Sequence, residues 1–229
     1  MKRTALKHLV SWKEKENRKP MLIHGARQVG KTWLMNEFGK SYYKSVFYIN
    51  FERNQRIRDL FNAGDLDPDR LITGLEIEFG QKIIPRESLI IFDEIQEAPK
   101  AITSLKYFYE EKPQYHITAA GSLLGVALHG GISYPVGKVD TMTLYPLNFR
   151  EFLNALGEEN LCRTIDSGDY ELLKVFKDKL TDYVKQYFYI GGMPEVAADF
   201  IKNKDFANVR KIQNQILDAY KNDFSKHIS

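Results

Sequence analysis

Cysteine is almost absent: Cys162 is the single one in 229 residues, so no disulfide can close within the chain. The five histidines are scattered without metal-ligand spacing, which excludes a structural zinc site of the familiar kinds. No apolar run approaches the roughly 18 residues of a membrane span, and the polar opening MKRTALKHLVSWKEKENRKP has no signal-peptide core. Both absences set the expectation of a cytoplasmic protein with no membrane partner. Internal repeats and low-complexity tracts are also missing. Strong charge is missing too, the net being +3, but its distribution is uneven. Residues 1–20 hold seven Lys/Arg against two Glu, leaving −2 for the other 209. That basic start suits either contact with nucleic acid or a solvated helix face. Leu6, Leu9, Val10 and Trp12 can share one face of a helix, with Lys2, Arg3, Lys7, Lys13 and Lys15 turned mostly to water.

What is present is an ordinary globular composition, 43% hydrophobic, 13% aromatic and 28% charged. A chain of this length buries roughly 70% of its unfolded surface, so a sizeable core is available. The most specific stretch is GARQVGKT, Gly25 to Thr32, which matches the Walker A spacing G-x-x-x-x-G-K-[ST]. Two glycines let the backbone turn tightly and aim consecutive N–H groups at a polyphosphate, Lys31 adds charge, and Thr32 offers a hydroxyl to Mg²⁺. The apolar run Met21 to His24 precedes the loop, and WLMNEF from Trp33 reads as a helix start, so strand, loop and helix come in the required order. The candidate nucleotide-binding stretch is therefore Gly25, Ala26, Arg27, Gln28, Val29, Gly30, Lys31, Thr32 and Trp33.

A second strand is expected over about Val46 to Asn50. Residues 54–80 read as two helical pieces broken near GDLDP, with Leu71, Ile72, Leu75 and Phe79 as the packed stripe. SLIIFD, Ser88 to Asp93, is a continuous apolar run of the kind that a strand buried on both faces shows, and Glu94 follows at once. This is a Walker B pattern 62 residues after Lys31. Asp93 would hold Mg²⁺, and Glu94 would orient water for in-line attack on a γ-phosphate. An amphipathic helix over 99–111, a strand over 115–120 ending beside Gly121 and Ser122, and a last strand within KVDTMTLYPL complete five strands. From Asn148 the pattern is helical: NFREFLNAL, 169–189, 193–202 and 206–226, broken chiefly at Gly191-Gly192. The expected organisation is a basic helix and connector over 1–20, a P-loop α/β domain over 21–146, and an all-helical lid over 147–229.

With both motifs in this strand–helix order, the chain resembles the AAA+ ATPases of the additional-strand, catalytic-glutamate branch of P-loop proteins. More narrowly it resembles an uncharacterised prokaryotic ATPase family, through GARQVGKT, YINFE (48–52), IIFDEIQEAP (90–99), AAGSLLG (119–125), YPVGKVDTMTLYPLNFREFL (134–153) and GGMPEV (191–196). The resemblance implies a three-layer α/β fold, a parallel five-stranded sheet of order 5-1-4-3-2 and a small C-terminal helical lid. It implies ATP with Mg²⁺ as cofactors, the adenine preference included; no guanine-reading N-K-x-D occurs, since Asn203-Lys204-Asp205-Phe206 misses the spacing. Relatives usually continue into a winged-helix segment and a nuclease-like region, so the chain is expected to be truncated, with DNA as a partner of the missing part.

Residue by residue, the resemblance places Gly25, Gly30, Lys31 and Thr32 on phosphate and Mg²⁺, Asp93 on the metal and Glu94 on the water. Ser122 matches a sensor position, or is an ordinary turn serine. Asn50 matches a residue that holds the catalytic glutamate back until a partner engages, or is an amide closing a turn. Two departures stand out: Gly137-Lys138 where relatives tend to have Gly-Arg, and no arginine in GGMPEV. Lysine cannot reproduce the forked guanidinium contact. An arginine finger is worth roughly 10³ to 10⁵ in turnover, so slow hydrolysis is expected until self-association or a partner donates an arginine in trans. Arg150 and Arg27 could substitute, or could form surface salt bridges. Two functions follow: an ATPase coupling hydrolysis to lid movement and a downstream module, or a nucleotide-dependent switch or scaffold with little turnover.

Overall fold

In the computed structural model, residues 1–121, 135 and 137–227 are described, with side chains described to residue 222. The chain divides into two compact units. One comprises Ala5–Ala26 and Lys31–Leu144; the other comprises Met1–Thr4, Arg27–Gly30 and Tyr145–Ser229.

The first unit is built on five parallel strands, β1 Met21–His24, β2 Ser45–Asn50, β3 Ser88–Asp93, β4 His116–Ala120 and β5 Asp140–Thr143. Their order is β2-β3-β4-β1-β5, the expected 5-1-4-3-2 read from the other edge. All six residues of β3 are buried, as its unbroken apolar run requires, whereas β5 at the edge alternates between half-buried and exposed. Helices α1 Ala5–Glu14 and α2 Lys31–Tyr42 pack on each other, with α2 against β2, β3 and β4. Helices α3 Gln55–Asn62, α4 Pro68–Phe79 and α5 Pro99–Glu111 form a second mutually packed group. Phe51, Phe61 and Phe92 meet edge to face with ring centroids 5.4 to 5.5 Å apart, the arrangement aromatic quadrupoles favour.

Sequence pattern and chain agree closely in α4. Asp67 caps it through the Arg70 amide, Pro68 opens it, and Gly80 closes it in the left-handed conformation. Leu71, Ile72 and Leu75 are buried, but Phe79 at the helix end is partly exposed and stacks edge-on against Phe47. In α1, Leu9 and Trp12 face the core, the indole Nε1 donating to Lys19 O at 2.7 Å. Much of the basic start is bonded within its own unit: Lys13 to Tyr42 O, Lys15 to Asp140, Lys19 to Gly137 O.

The second unit is helical: α6 Phe149–Ala155, α7 Glu159–Ser167, α8 Tyr170–Val175, α9 Lys177–Ile190, α10 Pro194–Asn203 and α11 Phe206–His227. Helix α7 was not anticipated, and the run expected over 169–189 is two helices broken at Phe176. Leu147, Phe152, Ile190, Val196, Ala197, Phe200, Val209 and Ile216 form its main core. A Cβ on Gly192 would lie 2.2 Å from Leu147 O, so only glycine allows Leu147 N to donate to Gly192 O at 2.6 Å.

Arg3 corrects the expectation that it faces water: it is 7% exposed. Its Nε lies 3.3 Å from Glu151 Oε1, its Nη1 donates to Val29 O at 2.9 Å, and its Nη2 donates to Tyr145 O at 2.5 Å. Glu151 Oε1 also accepts from Thr4 N and Oγ1, and Oε2 completes a capping box with Asn148. A buried guanidinium is tolerable because a carboxylate and two carbonyls replace water around it.

Candidate nucleotide site

The turn after β1 is made by residues whose backbones enter the left-handed region: Gly25 at φ 148°, Gln28 at 64° and Gly30 at 94°. Such alternation presents backbone N–H groups to one side and favours anions there. Lys31 opens α2 with its side chain largely buried, and Nζ donates to Gly25 O and Ala26 O, each at 2.8 Å. Trp33, the last residue of the candidate stretch, is 43% exposed on α2. His24, at the end of β1, has its imidazole pKa lowered by burial and by the charge of Lys31.

The parallel register sets Asn50 opposite Asp93, so β2 and β3 end level with each other. Thr32 Oγ1 donates to Asp93 Oδ2 at 2.6 Å, and Tyr48 OH donates to the same oxygen at 2.8 Å. Asp93 Oδ1 accepts from the Glu94 amide at 3.1 Å. The carboxylate is thus oriented from both sides and only 3% exposed. Tyr48 has its hydroxyl pKa pushed up to about 12, by burial first and by the acceptor Asp93 in addition. Tyr48 was not singled out in the sequence, although its period-two spacing from Asn50 places both on one face of β2.

Glu94 adopts φ 50° and ψ 45°, a left-handed conformation that costs a non-glycine residue about 1 to 2 kcal/mol. Its Oε2 accepts from Gln96 Nε2 at 2.6 Å. Asn50 is engaged elsewhere: Oδ1 accepts from Arg53 N at 3.1 Å, and Nδ2 faces Tyr48 OH at 3.4 Å. The amide bonded to Glu94 is thus that of Gln96, while Asn50 is bonded within the turn after β2. Gln96 lay in the quoted run IIFDEIQEAP without a role; its position two residues after the glutamate was the available signal. Ser122 lies outside the described residues.

Arg150 pairs with Asp166 at 2.8 Å, both side chains about half exposed, which is the surface salt bridge offered as its alternative. Lys138 pairs with Glu110 at 2.8 Å. No group of three or more His, Cys, Asp or Glu among the described residues could hold a metal ion alone. No helix among them is long and apolar enough to cross a membrane.

Comparison with known proteins agrees with this architecture. A profile described as a domain of unknown function matches residues 181–229. No curated protein matches the chain significantly. Among solved structures, the Walker-type ATPase PABY2304 of Pyrococcus abyssi is similar with a TM-score of 0.56 and 16% identity, over 98% of this chain and 73% of that one. Cdc6p of Pyrobaculum aerophilum is more distant, with a TM-score of 0.44 and 14% identity over 67% of this chain and 48% of that one. At 16% identity the likeness to PABY2304 is one of fold, that of the P-loop NTPases. The profile of an AAA domain matches residues 17–153, which is more than half of the chain, and the protein accordingly belongs to that AAA domain family.

Proposed function

We propose that the protein binds ATP with Mg²⁺ at Gly25–Thr32 and hydrolyses it, slowly by itself. The observation that carries this reading is the 2.6 Å hydrogen bond from Thr32 Oγ1 to Asp93 Oδ2. It brings two hard oxygen donors from a helix start and a strand end to one point. Mg²⁺ is bound characteristically through one or two protein oxygens with phosphate oxygens and water completing its shell, and Thr32 and Asp93 would supply the protein share. Bound there, the ion would neutralise charge on the β- and γ-phosphates.

Lys31 would exchange its present carbonyl partners for phosphate oxygens, and the loop N–H groups would donate hydrogen bonds to the same group. Glu94 would take a hydrogen bond from the attacking water and then its proton. The new oxygen–phosphorus bond forms as the β–γ bridging bond breaks and ADP leaves with the bridging oxygen. Tyr48 would keep Asp93 oriented throughout. The same reading makes the protein cytoplasmic, with an arginine supplied by a second copy or a partner. Coupling of the helical unit to a further, DNA-associated module follows from the family resemblance.

The 2.6 Å bond from Gln96 to Glu94 favours a second reading, a switch in which bound ATP is the signal and turnover only resets it. Binding of labelled ATP and release of phosphate, measured on wild type, Lys31→Ala and Glu94→Gln, test both readings. Lys31→Ala is expected to lose binding, and Glu94→Gln to bind but not hydrolyse. Wild-type binding by Lys31→Ala, or wild-type turnover by Glu94→Gln, refutes the assignment. Wild-type function retained by Glu94→Gln with ATP trapped selects the switch.

A further inference from the structure

Residues Arg27–Gly30, the middle of the phosphate loop, group with the helical unit, and two side chains of that unit hold their carbonyl groups. Tyr220 OH on α11 donates to Arg27 O at 2.6 Å, and Arg3 Nη1 donates to Val29 O at 2.9 Å. The peptide bonds are trans, so each carbonyl and the N–H of the next residue point in opposite directions from one plane. Fixing the Arg27 carbonyl fixes the Gln28 N–H, and fixing the Val29 carbonyl fixes the Gly30 N–H. Gln28 and Gly30 are the loop residues at φ 64° and 94°. For glutamine this conformation is unfavourable and must be held by its surroundings.

Both donors are themselves secured. Arg3 is fastened to Tyr145 O and Glu151, and the Tyr220 ring packs against the core that contains Phe152 and Val209. We infer that Arg3 and Tyr220 are positioning residues of the phosphate cradle, holding two of its peptide planes from outside so that the Gln28 and Gly30 amides are already aimed at a polyphosphate. The inference rests on the nucleotide-binding reading and deepens it: the Arg3 and Tyr220 side chains set phosphate affinity without touching phosphate. Preorganised donors act because no reorientation is needed on binding.

The test is calorimetric titration of the full chain with sodium tripolyphosphate, which has the phosphates of ATP and no base, alongside ATP. Tyr220→Phe keeps the packed ring and removes the hydroxyl; Arg3→Lys keeps a charge facing Glu151 but lacks the planar fork that reaches Val29 O and Tyr145 O together. Each is expected to weaken tripolyphosphate and ATP equally, by about fivefold, the factor a typical net hydrogen bond is worth. The melting temperature of ligand-free Tyr220→Phe should stay at the wild-type value, whereas a purely structural hydroxyl would lower melting and leave affinity unchanged. Wild-type tripolyphosphate affinity in Tyr220→Phe, with binding lost in Lys31→Ala, overturns the inference and leaves the nucleotide reading standing. Absence of binding by the wild-type protein removes both. Should Arg3→Lys fail to fold, Tyr220→Phe decides alone.

Discussion

Replacing Arg3 by methionine removes the partner of a carboxylate that has almost no access to water. The side chains of Arg3 and Glu151 are 5% and 4% exposed, so solvent screens their interaction little. Arg3→Met strands the Glu151 carboxylate with only the Thr4 and Asn148 donors, and also deprives Val29 O and Tyr145 O of the guanidinium. Breaking one side of such a buried pair costs about 3 to 5 kcal/mol, a large share of the roughly 5 to 15 kcal/mol that holds a domain folded. Glu151→Leu leaves the guanidinium unpaired and removes the cap of α6 as well, and should cost as much. The double variant removes both charges and is expected to cost clearly less than the two single changes summed. Urea unfolding reads the effect with two probes. Trp12 and Trp33, the two tryptophans, both lie in the sheet unit, so their fluorescence follows that unit, whereas far-UV circular dichroism also follows the six helices of the other. The dichroism transition should shift to lower urea more than the fluorescence transition. Single-variant costs under about 1 kcal/mol, or strictly additive costs, would refute the account of a buried, mutually dependent pair.

Removing the amide that holds Glu94, by Gln96→Ala, is expected to raise basal phosphate release while ATP affinity stays near wild type; unchanged or lower turnover refutes a restraining role. His116 is buried, its Nδ1 within 2.7 Å of Tyr43 OH, and its pKa is lowered to about 3 by burial and by the charges of Arg18, Lys13 and Arg86. Unfolding restores the ordinary value near 6.5, so between pH 6.5 and about 3 the unfolded chain binds the extra proton and stability falls as pH falls, by at most about 1.4 kcal/mol per pH unit. His116→Gln should flatten that acid limb in a series of urea titrations, and an unaltered limb refutes the assignment. Gly192→Ala places a Cβ 2.2 Å from the Leu147 carbonyl, and should lower the thermal midpoint of the helical unit by several degrees, as a displaced backbone hydrogen bond requires. An unchanged midpoint refutes the close-approach argument.

The strands were legible because burial leaves a direct trace in composition: a strand covered on both faces has no room for polar residues, and SLIIFD contains none between Ser88 and Asp93. Caps such as Asp67 and Asn148 were equally local, each side chain reaching an amide three residues on. The candidate site was legible where one stretch of chain carries its chemistry, as in Gly25–Thr32 and Asp93-Glu94. It was illegible where partners are distant in sequence. Nothing near Arg3 indicates Glu151, and amphipathic periodicity assigns any lysine or arginine outside the apolar stripe to water. Gln96 stands two residues after Glu94 and bonds to it, but an amide at that spacing is too common to mark the contact in the sequence. Helix α7 escaped because ENLCRTIDS is short, its apolar face consisting only of Leu161, Cys162 and Ile165. Sheet order had no local signature at all, since parallel strands are paired by crossovers that any sequence pattern leaves open.

The Arg3 contacts also dictate a sequence of events during synthesis. Residues 1–4 belong with residues 145–229, so Arg3 finds its carboxylate partner only after Glu151 has been added. At the usual ~5–20 residues per second that delay is roughly seven to thirty seconds. The sheet unit, Ala5–Ala26 and Lys31–Leu144, is complete before then. Growth of the chain therefore builds the strand edge that carries Asp93 first, fastens the loop carbonyl of Val29 once Glu151 is in place and that of Arg27 only after Tyr220, so the phosphate loop acquires its final shape late.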